Sequence, residues 1–205
     1  MKGDSEMKKI ITTVLLFSML CSIMPSSRVQ ATKKEEAYQA FYHWLETDAP
    51  PYCQEYQLVK IDGDDVPELV GYYKSKRQKR YYYIICSYDG KNLRAYQFCE
   101  GFKSASPISY IQGKGKMLFS NHPLEGDSDS GYDLLVTLKK GKFTDDYVGR
   151  IEVGSKGKLQ YEWKKKKVSE QVYEKNLKKV FDQSKAQAFS KLKYISKSKM
   201  KKKLK

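Results

Sequence analysis

The segment from Tyr56 to Tyr73 constrains the fold more than any other, because it sets a dense acidic turn between two apolar runs. Residues 56–61 and 66–70 are largely apolar, and Asp62-Gly63-Asp64-Asp65 lies between them. Aspartate and glycine favour tight turns. Carboxylates this close together repel one another unless a cation or a set of backbone N–H groups faces them. The pattern therefore predicts a charge-organised turn near the start of a small sheet.

The composition allows one ordinary domain with appendages. The chain has 205 residues, of which 40% are hydrophobic and 31% charged, and a net charge of +15. A basic protein of this kind is attracted to anionic partners. Two histidines and four cysteines leave little material for metal or nucleophile chemistry.

Residues 1–31 have the pattern of an export signal. Met7-Lys8-Lys9 is basic, residues 10–24 are mostly apolar, and Val29-Gln30-Ala31 supplies small residues for a signal peptidase. The apolar run is too short and too rich in serine for a membrane span. A buried N-terminal helix is the disfavoured alternative, because no polar residues alternate within the run. We therefore expect a secreted protein.

The mature chain would retain Cys53, Cys86 and Cys99. An odd number outside the cell implies one bridge and a free thiol, or no bridge. If Tyr88 pairs with Leu93 across a hairpin turn, Cys86 and Cys99 lie about 13 Å apart. A disulfide needs Cα atoms within about 7 Å. This register leaves a bridge to Cys53 or three free thiols, and it favours free cysteines that act as small core residues.

The periodicity predicts an α+β fold, with an antiparallel meander between two helices. One helix covers Lys33–Glu46, and another begins after Ser169 as N-cap. Residues 32–182 would form a single domain. Residues 183–205 would form a basic tail that frays, because it carries nine lysines and no carboxylate. Strands are predicted at 69–73, 81–88, 93–99, 108–112, 117–120, 133–139, 143–152 and 158–163.

The lysines of this tail are the candidate binding surface for an anionic cell-wall polymer or membrane surface. Each lysine close to such a surface contributes about 1 kcal/mol, which salt screens. A tail that only maintains solubility is the alternative. The basic loop Lys74–Arg80 lies among tyrosines, as in single-strand nucleic-acid binders, but export argues against a nucleic-acid partner. The lysines assigned to the surface are Lys197, Lys199, Lys201, Lys202, Lys203 and Lys205.

Ile61–Leu69 resembles the Asp-x-Asp-Gly-Asp-Gly-x-Pro-Glu-Leu segment of small secreted proteins from Gram-positive gut bacteria. That segment is itself similar to the calcium loops of integrin-type β-propeller repeats. Val168-Ser169-Glu170 also resembles these secreted proteins, in which it opens the closing helix. The group has no assigned activity, so the resemblance implies export rather than a reaction.

The resemblance implies a ligand set for Ca²⁺, which collects six to eight oxygens. Asp62, Asp64 and Glu68 match the third, fifth and ninth loop positions. Lys60 stands at the first position, where aspartate is usual, and Asp65 replaces a glycine. Three interpretations stay open: a calcium site, a turn in which the Lys60 ammonium replaces the cation, and a plain solvated turn. The substitution by Lys60 is the favoured interpretation.

The sequence shows no recognised catalytic constellation: no glycine-elbow serine, His-Glu-x-x-His, phosphate loop or Cys-x-x-Cys. A second acidic cluster, Glu125–Asp133, lacks the closing glutamate of a calcium loop and favours a solvated hairpin loop. We expect a secreted, non-enzymatic, envelope-associated protein whose folded part binds an unidentified protein or glycan. The alternative is a calcium-stabilised extracellular enzyme or enzyme inhibitor.

Overall fold

The computed structural model describes residues 31–101, 107–121 and 130–205, which form two antiparallel sheets and three α-helices. The predicted export signal lies outside the described residues except for Ala31. Short 3-10 turns lie at Ser155–Gly157, Gln183–Lys185 and Phe189–Lys191. In chain order the other elements are α1 (Lys33–Thr47), β1 (Glu55–Val59), β2 (Glu68–Ser75), β3 (Arg80–Tyr88), β4 (Leu93–Gly101), β5 (Ser109–Ile111), β6 (Lys116–Asn121), β7 (Ser130–Lys139), β8 (Lys142–Val153), β9 (Leu159–Trp163), β10 (Lys166–Val168), α2 (Glu170–Val180), β11 (Gln187–Ala188), β12 (Ile195–Ser196) and α3 (Lys197–Leu204).

The strands divide between two sheets rather than forming the single meander expected from the sequence. The first sheet has the order β12-β1-β2-β3-β4, and the second has the order β10-β9-β8-β7-β6-β5-β11. The α+β class is confirmed. Turn spacing predicted individual strands well, but it does not reveal where the chain leaves one sheet and starts another, because that depends on which faces pack together.

The main core lies between the two sheets. Tyr83 and Ile85 of β3 point into it, whereas Ile84 and Cys86 point to the opposite face. This alternation follows from the two-residue period of a strand. The inter-sheet core contains Val59, Ile61, Val70, Tyr83, Ile85, Phe98, Ile108, Tyr110, Met117, Leu134, Val136, Leu138 and Phe189.

Helices cover the outer face of each sheet. In α1, Ala37, Phe41 and Leu45 recur every four residues and pack with α3 on the first sheet. Thr32 caps α1 through a reciprocal capping box with Glu35. On the second sheet α2 supplies the cover. The result is a four-layer arrangement in which each sheet has the inter-sheet core on one face and helices over part of the other face.

Two further details of the sequence analysis are confirmed. Ser169 is the N-cap of α2, and its hydroxyl accepts a hydrogen bond from the Val172 N–H. Tyr88 pairs with Leu93 across the β3–β4 turn. Cys53, Cys86 and Cys99 are free thiols, and the first two are buried.

The expectation that residues 183–205 form a frayed tail is wrong. Phe189 is buried between the sheets, and Met200 and Leu204 of α3 are buried under the first sheet. β11 pairs with β5, and β12 pairs with β1, so this segment closes an edge of each sheet. Lysines dominate the composition of residues 183–205. The four-residue spacing of Met200 and Leu204 nevertheless gives α3 an apolar stripe that packs against the core.

Within residues 31–101, 107–121 and 130–205, no helix combines the length and the apolar character that crossing a bilayer requires.

Candidate functional site

Two successive side-chain turns shape the acidic loop. The Oδ1 atom of Asp62 accepts a hydrogen bond of 3.0 Å from the Asp64 N–H. The Oδ1 atom of Asp64 accepts one of 2.8 Å from the Val66 N–H. Aspartate forms such bonds to the backbone two residues on. The carboxylates at 62 and 64 are thereby fixed relative to the backbone.

Glu68, the first residue of β2, is 1% exposed. Its Oε2 atom accepts a 2.8 Å hydrogen bond from the Ile61 N–H, and its Oε1 atom accepts one of 3.2 Å from the Ser87 hydroxyl. The Glu68 carboxyl group therefore ties the start of the loop to its end and to β3.

The structure brings together the three carboxylates that the resemblance implied as ligands. Asp62, Asp64 and Glu68 each offer an oxygen, and these oxygens lie within 4.8 Å of one another. Burial, reinforced by the charges of Asp62 and Asp64, raises the pKa of Glu68 to about 8. Burial also raises the pKa of Asp62. The cluster thus holds more negative charge than its own hydrogen bonds compensate.

The predicted role of Lys60 is wrong, and Lys33 takes the position near the carboxylates. Lys60 is exposed, and its carbonyl accepts a hydrogen bond from the Gly113 N–H. The Nζ atom of Lys33 lies 2.9 Å from Asp64 Oδ2, and this hydrogen bond raises the pKa of Lys33. Val59 and Ile61 point into the core, so the residue between them points away from it.

A glycine turn between β5 and β6 forms the opposite wall of the acidic loop. The Gly115 N–H donates to the Ile61 carbonyl at 2.8 Å. Gly115 has φ +63°, and a Cβ there would collide with the Leu138 carbonyl. Glycine therefore permits this turn to pack against β7, and the same added Cβ would lie only 3.3 Å from the Cβ of Asp62 in the acidic loop. The resulting cleft of about 360 Å³ is lined by Asp62, Gly63, Asp64, Gly113, Lys114, Thr137, Leu138, Lys139 and Lys140.

The donor set fits a hard divalent cation. Carboxylate oxygens are the ligands that Ca²⁺ prefers. Asp62, Asp64 and Glu68 would hold it, with backbone carbonyls and water for the remaining positions. Within the described part of the chain Lys33 forms an ion pair with Asp64 only, and its side chain is about half exposed, so an ion can displace it at little cost. A bound cation would compensate the charge that burial disfavours.

The structure orders the lysines that were assigned to an anionic surface. Lys201 binds Glu46 at 2.6 Å, and the Lys205 ammonium lies 5.3 Å from the centre of the Tyr42 ring. The other four lysines have no ion-pair partner among the described residues: Lys197, Lys199, Lys202 and Lys203.

Sequence reasoning missed the buried carboxylate of Asp133. Asp133, at the end of the cluster read as a solvated loop, is 0% exposed in β7. It accepts hydrogen bonds from the Ser120 hydroxyl and, at 2.6 Å, from the Tyr173 hydroxyl of α2. Residues 125–129 of that predicted loop lie outside the described residues, and residues 130–133 belong to β7 rather than to a loop. The alternation in β7 places Asp133 on the face opposite Leu134, Val136 and Leu138, so its burial under α2 had no local signal in the sequence.

No protein-family model, curated protein or solved structure matches this chain.

Proposed function

We propose that this is an exported, non-enzymatic binding protein that α3 attracts to an anionic polymer of the cell envelope. The proposal rests on one observation: α3 has a buried apolar face and an exposed basic face. Met200 and Leu204 anchor the helix in the core, while Lys199, Lys202 and Lys203 are exposed. The N-terminal pattern of residues 1–31 supports export.

An anchored helix is a better polyanion receptor than a frayed tail. The backbone of α3 is already ordered, so binding costs less conformational entropy than it would for a disordered segment. Each lysine near an anionic surface contributes about 1 kcal/mol, and salt screens the attraction. The exposed lysines of α3 together therefore support reversible, salt-sensitive attachment.

The acidic loop has a structural role in this proposal. A cation bound by Asp62, Asp64 and Glu68 would stabilise the junction of the two sheets outside the cell. The same cluster supports the second candidate, a calcium-stabilised extracellular enzyme or enzyme inhibitor. A hydrolytic activity that disappears on chelation and returns with Ca²⁺ would favour that second candidate.

The test uses the full chain produced in a Gram-positive host. We expect the protein in the culture medium and wall fraction, cleaved after Ala31. The secreted product should sediment with purified walls that retain teichoic acid and should be released by 0.5 M salt. Replacing Lys199, Lys202 and Lys203 by serine should weaken wall binding at least tenfold.

The matched control replaces three exposed lysines of the β9–β10 hairpin by serine, at Lys165, Lys166 and Lys167. It removes the same charge away from α3 and should leave most of the wall binding intact. Equal losses in both variants would show that net charge, rather than α3, governs attachment. Binding that persists in 0.5 M salt would contradict the electrostatic proposal.

A further inference from the structure

A tyrosine-lined cleft lies on the outer face of the first sheet, beyond the helices that cover it. Tyr73 follows Leu69 and Gly71 on the same face of β2, and Tyr82 precedes Ile84 on the same face of β3. Leu69 and Ile84 lie in the core beneath α1 and α3. The cleft measures about 420 Å³ and is lined by Tyr52, Tyr73, Ser75, Arg77, Gln78 and Tyr82.

Three aromatic rings form a continuous platform in this cleft. The rings of Tyr73 and Tyr82 stack with centroids 6.0 Å apart. The ring of Tyr52 lies 4.8 Å from that of Tyr73, tilted by 45°. Tyr52 is 48% exposed, which is unusual for so large an apolar group in this protein. An exposed aromatic platform of this kind suits the flat apolar face of a sugar ring, whose C–H groups pack on aromatic faces.

Polar groups surround the platform, and none of those that line the cleft is acidic. The Tyr82 hydroxyl donates a 2.5 Å hydrogen bond to Gln78 Oε1, which leaves the Gln78 amide N–H groups for another acceptor. The guanidinium of Arg77 is exposed and has no ion-pair partner among the described residues. Arginine binds carboxylate and phosphate groups through bidentate hydrogen bonds.

The cleft is next to α3 in the structure. The Lys197 N–H, at the start of α3, donates a 2.8 Å hydrogen bond to the Gln54 carbonyl, two residues after Tyr52. A polymer that follows the lysines of α3 can therefore continue towards the cleft. The cleft and the start of α3 therefore lie on neighbouring parts of the first sheet.

We propose that the Tyr52–Tyr73–Tyr82 cleft binds a saccharide unit that carries a carboxylate or phosphate group. The sugar face packs on the tyrosine rings, and the anionic group pairs with Arg77. This proposal rests on the proposed function, because it identifies one unit of the envelope polymer that α3 attracts. It adds a specific subsite to a surface that otherwise recognises charge alone.

The experiment measures binding of the secreted protein to three probes by isothermal titration. An oligogalacturonate offers both sugar and charge, its methyl ester offers the sugar without charge, and polyglutamate offers charge without sugar. We expect the oligogalacturonate to bind at least tenfold more tightly than either of the others. Tyr52→Ala should weaken its binding about tenfold, the loss expected for one stacked aromatic contact at the upper end of its range.

Matched variants separate the cleft from general effects. Tyr147→Ala removes another exposed tyrosine, which is 64% exposed on the second sheet, and should leave binding unchanged. Arg77→Ala should reduce the preference for the oligogalacturonate over its ester to the part that the α3 lysines supply, without disturbing the fold, because its side chain is in solvent. Circular dichroism of each variant confirms folding.

Two results would overturn the cleft proposal: polyglutamate that binds as tightly as the oligogalacturonate, or Tyr52→Ala and Arg77→Ala variants that bind it like the wild type. Failure of the proposed function looks different. In that case the serine variant of Lys199, Lys202 and Lys203 keeps full wall binding, whatever the cleft variants do. The two proposals can therefore fail separately.

Discussion

Glu68 and Asp133 are both buried carboxylates on sheet strands, but their surroundings differ. Asp133 accepts hydrogen bonds from the hydroxyl groups of Ser120 and Tyr173, which carry no charge of their own. Glu68 accepts one backbone N–H and one hydroxyl, yet it shares its site with the carboxylates of Asp62 and Asp64. Similar burial therefore has different electrostatic consequences at the two sites.

The difference separates an architectural carboxylate from a candidate ligand. Asp133 joins α2 to the second sheet, and the close contact of the Tyr173 hydroxyl leaves no space for a Cβ at position 149, which is glycine. Such a satisfied group stabilises packing. At Glu68 burial, reinforced by the charges of Asp62 and Asp64, raises the energy of the ionised state, so a proton or a cation stabilises the cluster. The exposed fraction alone would not distinguish the Asp133 carboxylate from that of Glu68.

The largest expected effect is at Asp133. Asp133→Ala leaves the hydroxyls of Ser120 and Tyr173 without this acceptor in the core, which should lower the free energy of unfolding by about 2–5 kcal/mol. Urea denaturation measures the change. Glu152→Ala is the control, because Glu152 pairs with Arg150 at the surface and its loss should cost less than about 1 kcal/mol. Equal effects of the two variants would mean that the Asp133 network is not architectural.

The next largest effect is the change in the free energy of unfolding with pH that Glu68 causes. It is measured with a chelator present, so that no metal ion occupies the acidic loop. The pKa of Glu68 rises from 4.5 to about 8 on folding, so the folded state binds a proton more tightly in that window. The free energy of unfolding should therefore fall as the pH rises from about 5 to 8, by about 2–4 kcal/mol. Glu68→Gln should flatten this slope, because the amide cannot ionise. The amide can still accept a hydrogen bond from the Ile61 N–H and donate one to the Ser87 hydroxyl.

Glu55→Gln provides the comparison for that slope, since Glu55 is exposed at the start of β1. Its slope should match the wild type. A Glu68→Gln variant that retains the full pH dependence would show that the raised pKa of Glu68 does not control stability.

Calcium should stabilise the protein at the acidic loop. At a free Ca²⁺ concentration a hundredfold above Kd, the gain is about 2.7 kcal/mol, seen as a higher melting temperature. Asp62→Asn should abolish the gain. Asp65→Asn should preserve it, because Asp65 belongs to the same turn but not to the carboxylate cluster. A wild type whose melting temperature is unchanged by Ca²⁺, with no heat on titration, would rule out the metal.

The smallest effect concerns the lysine beside the cluster. Lys33→Met should lower the free energy of unfolding by about 0.5 kcal/mol at low salt, the value of an exposed ion pair. Lys60→Met should leave it unchanged, because the Lys60 side chain is exposed and does not meet the acids. A larger loss in Lys60→Met than in Lys33→Met would reverse the assignment of the two lysines.

Local patterns were sufficient for much of this fold. The period of apolar residues predicted α1 and most strands, and the turn between Tyr88 and Leu93 fixed the β3–β4 register. The resemblance of Ile61–Leu69 to calcium loops implied the convergence of Asp62, Asp64 and Glu68, and side-chain turns at Asp62 and Asp64 fix two of these carboxylates within one short loop. These features depend on residues close in the chain.

Local patterns could not predict the contacts between residues that are distant in the chain. Lys33 reaches Asp64 across 31 positions, and Tyr173 reaches Asp133 across 40. The lysine-rich C-terminal segment was read from its composition, whereas Phe189, Met200 and Leu204 determine its packing. Composition averages over a segment, but packing depends on a few apolar side chains at the right spacing.

The sequence by itself determined most of the strands, the Ser169 cap of α2 and the acidic loop, since each is set by backbone preferences over a few neighbouring residues. Only the tertiary structure decided the division into two sheets, the choice of Lys33 over Lys60 and the meeting of Tyr52, Tyr73 and Tyr82. These outcomes arise when faces of different elements are buried against each other. Burial of such faces selects partners by shape and by the surface removed from water, which no local pattern encodes.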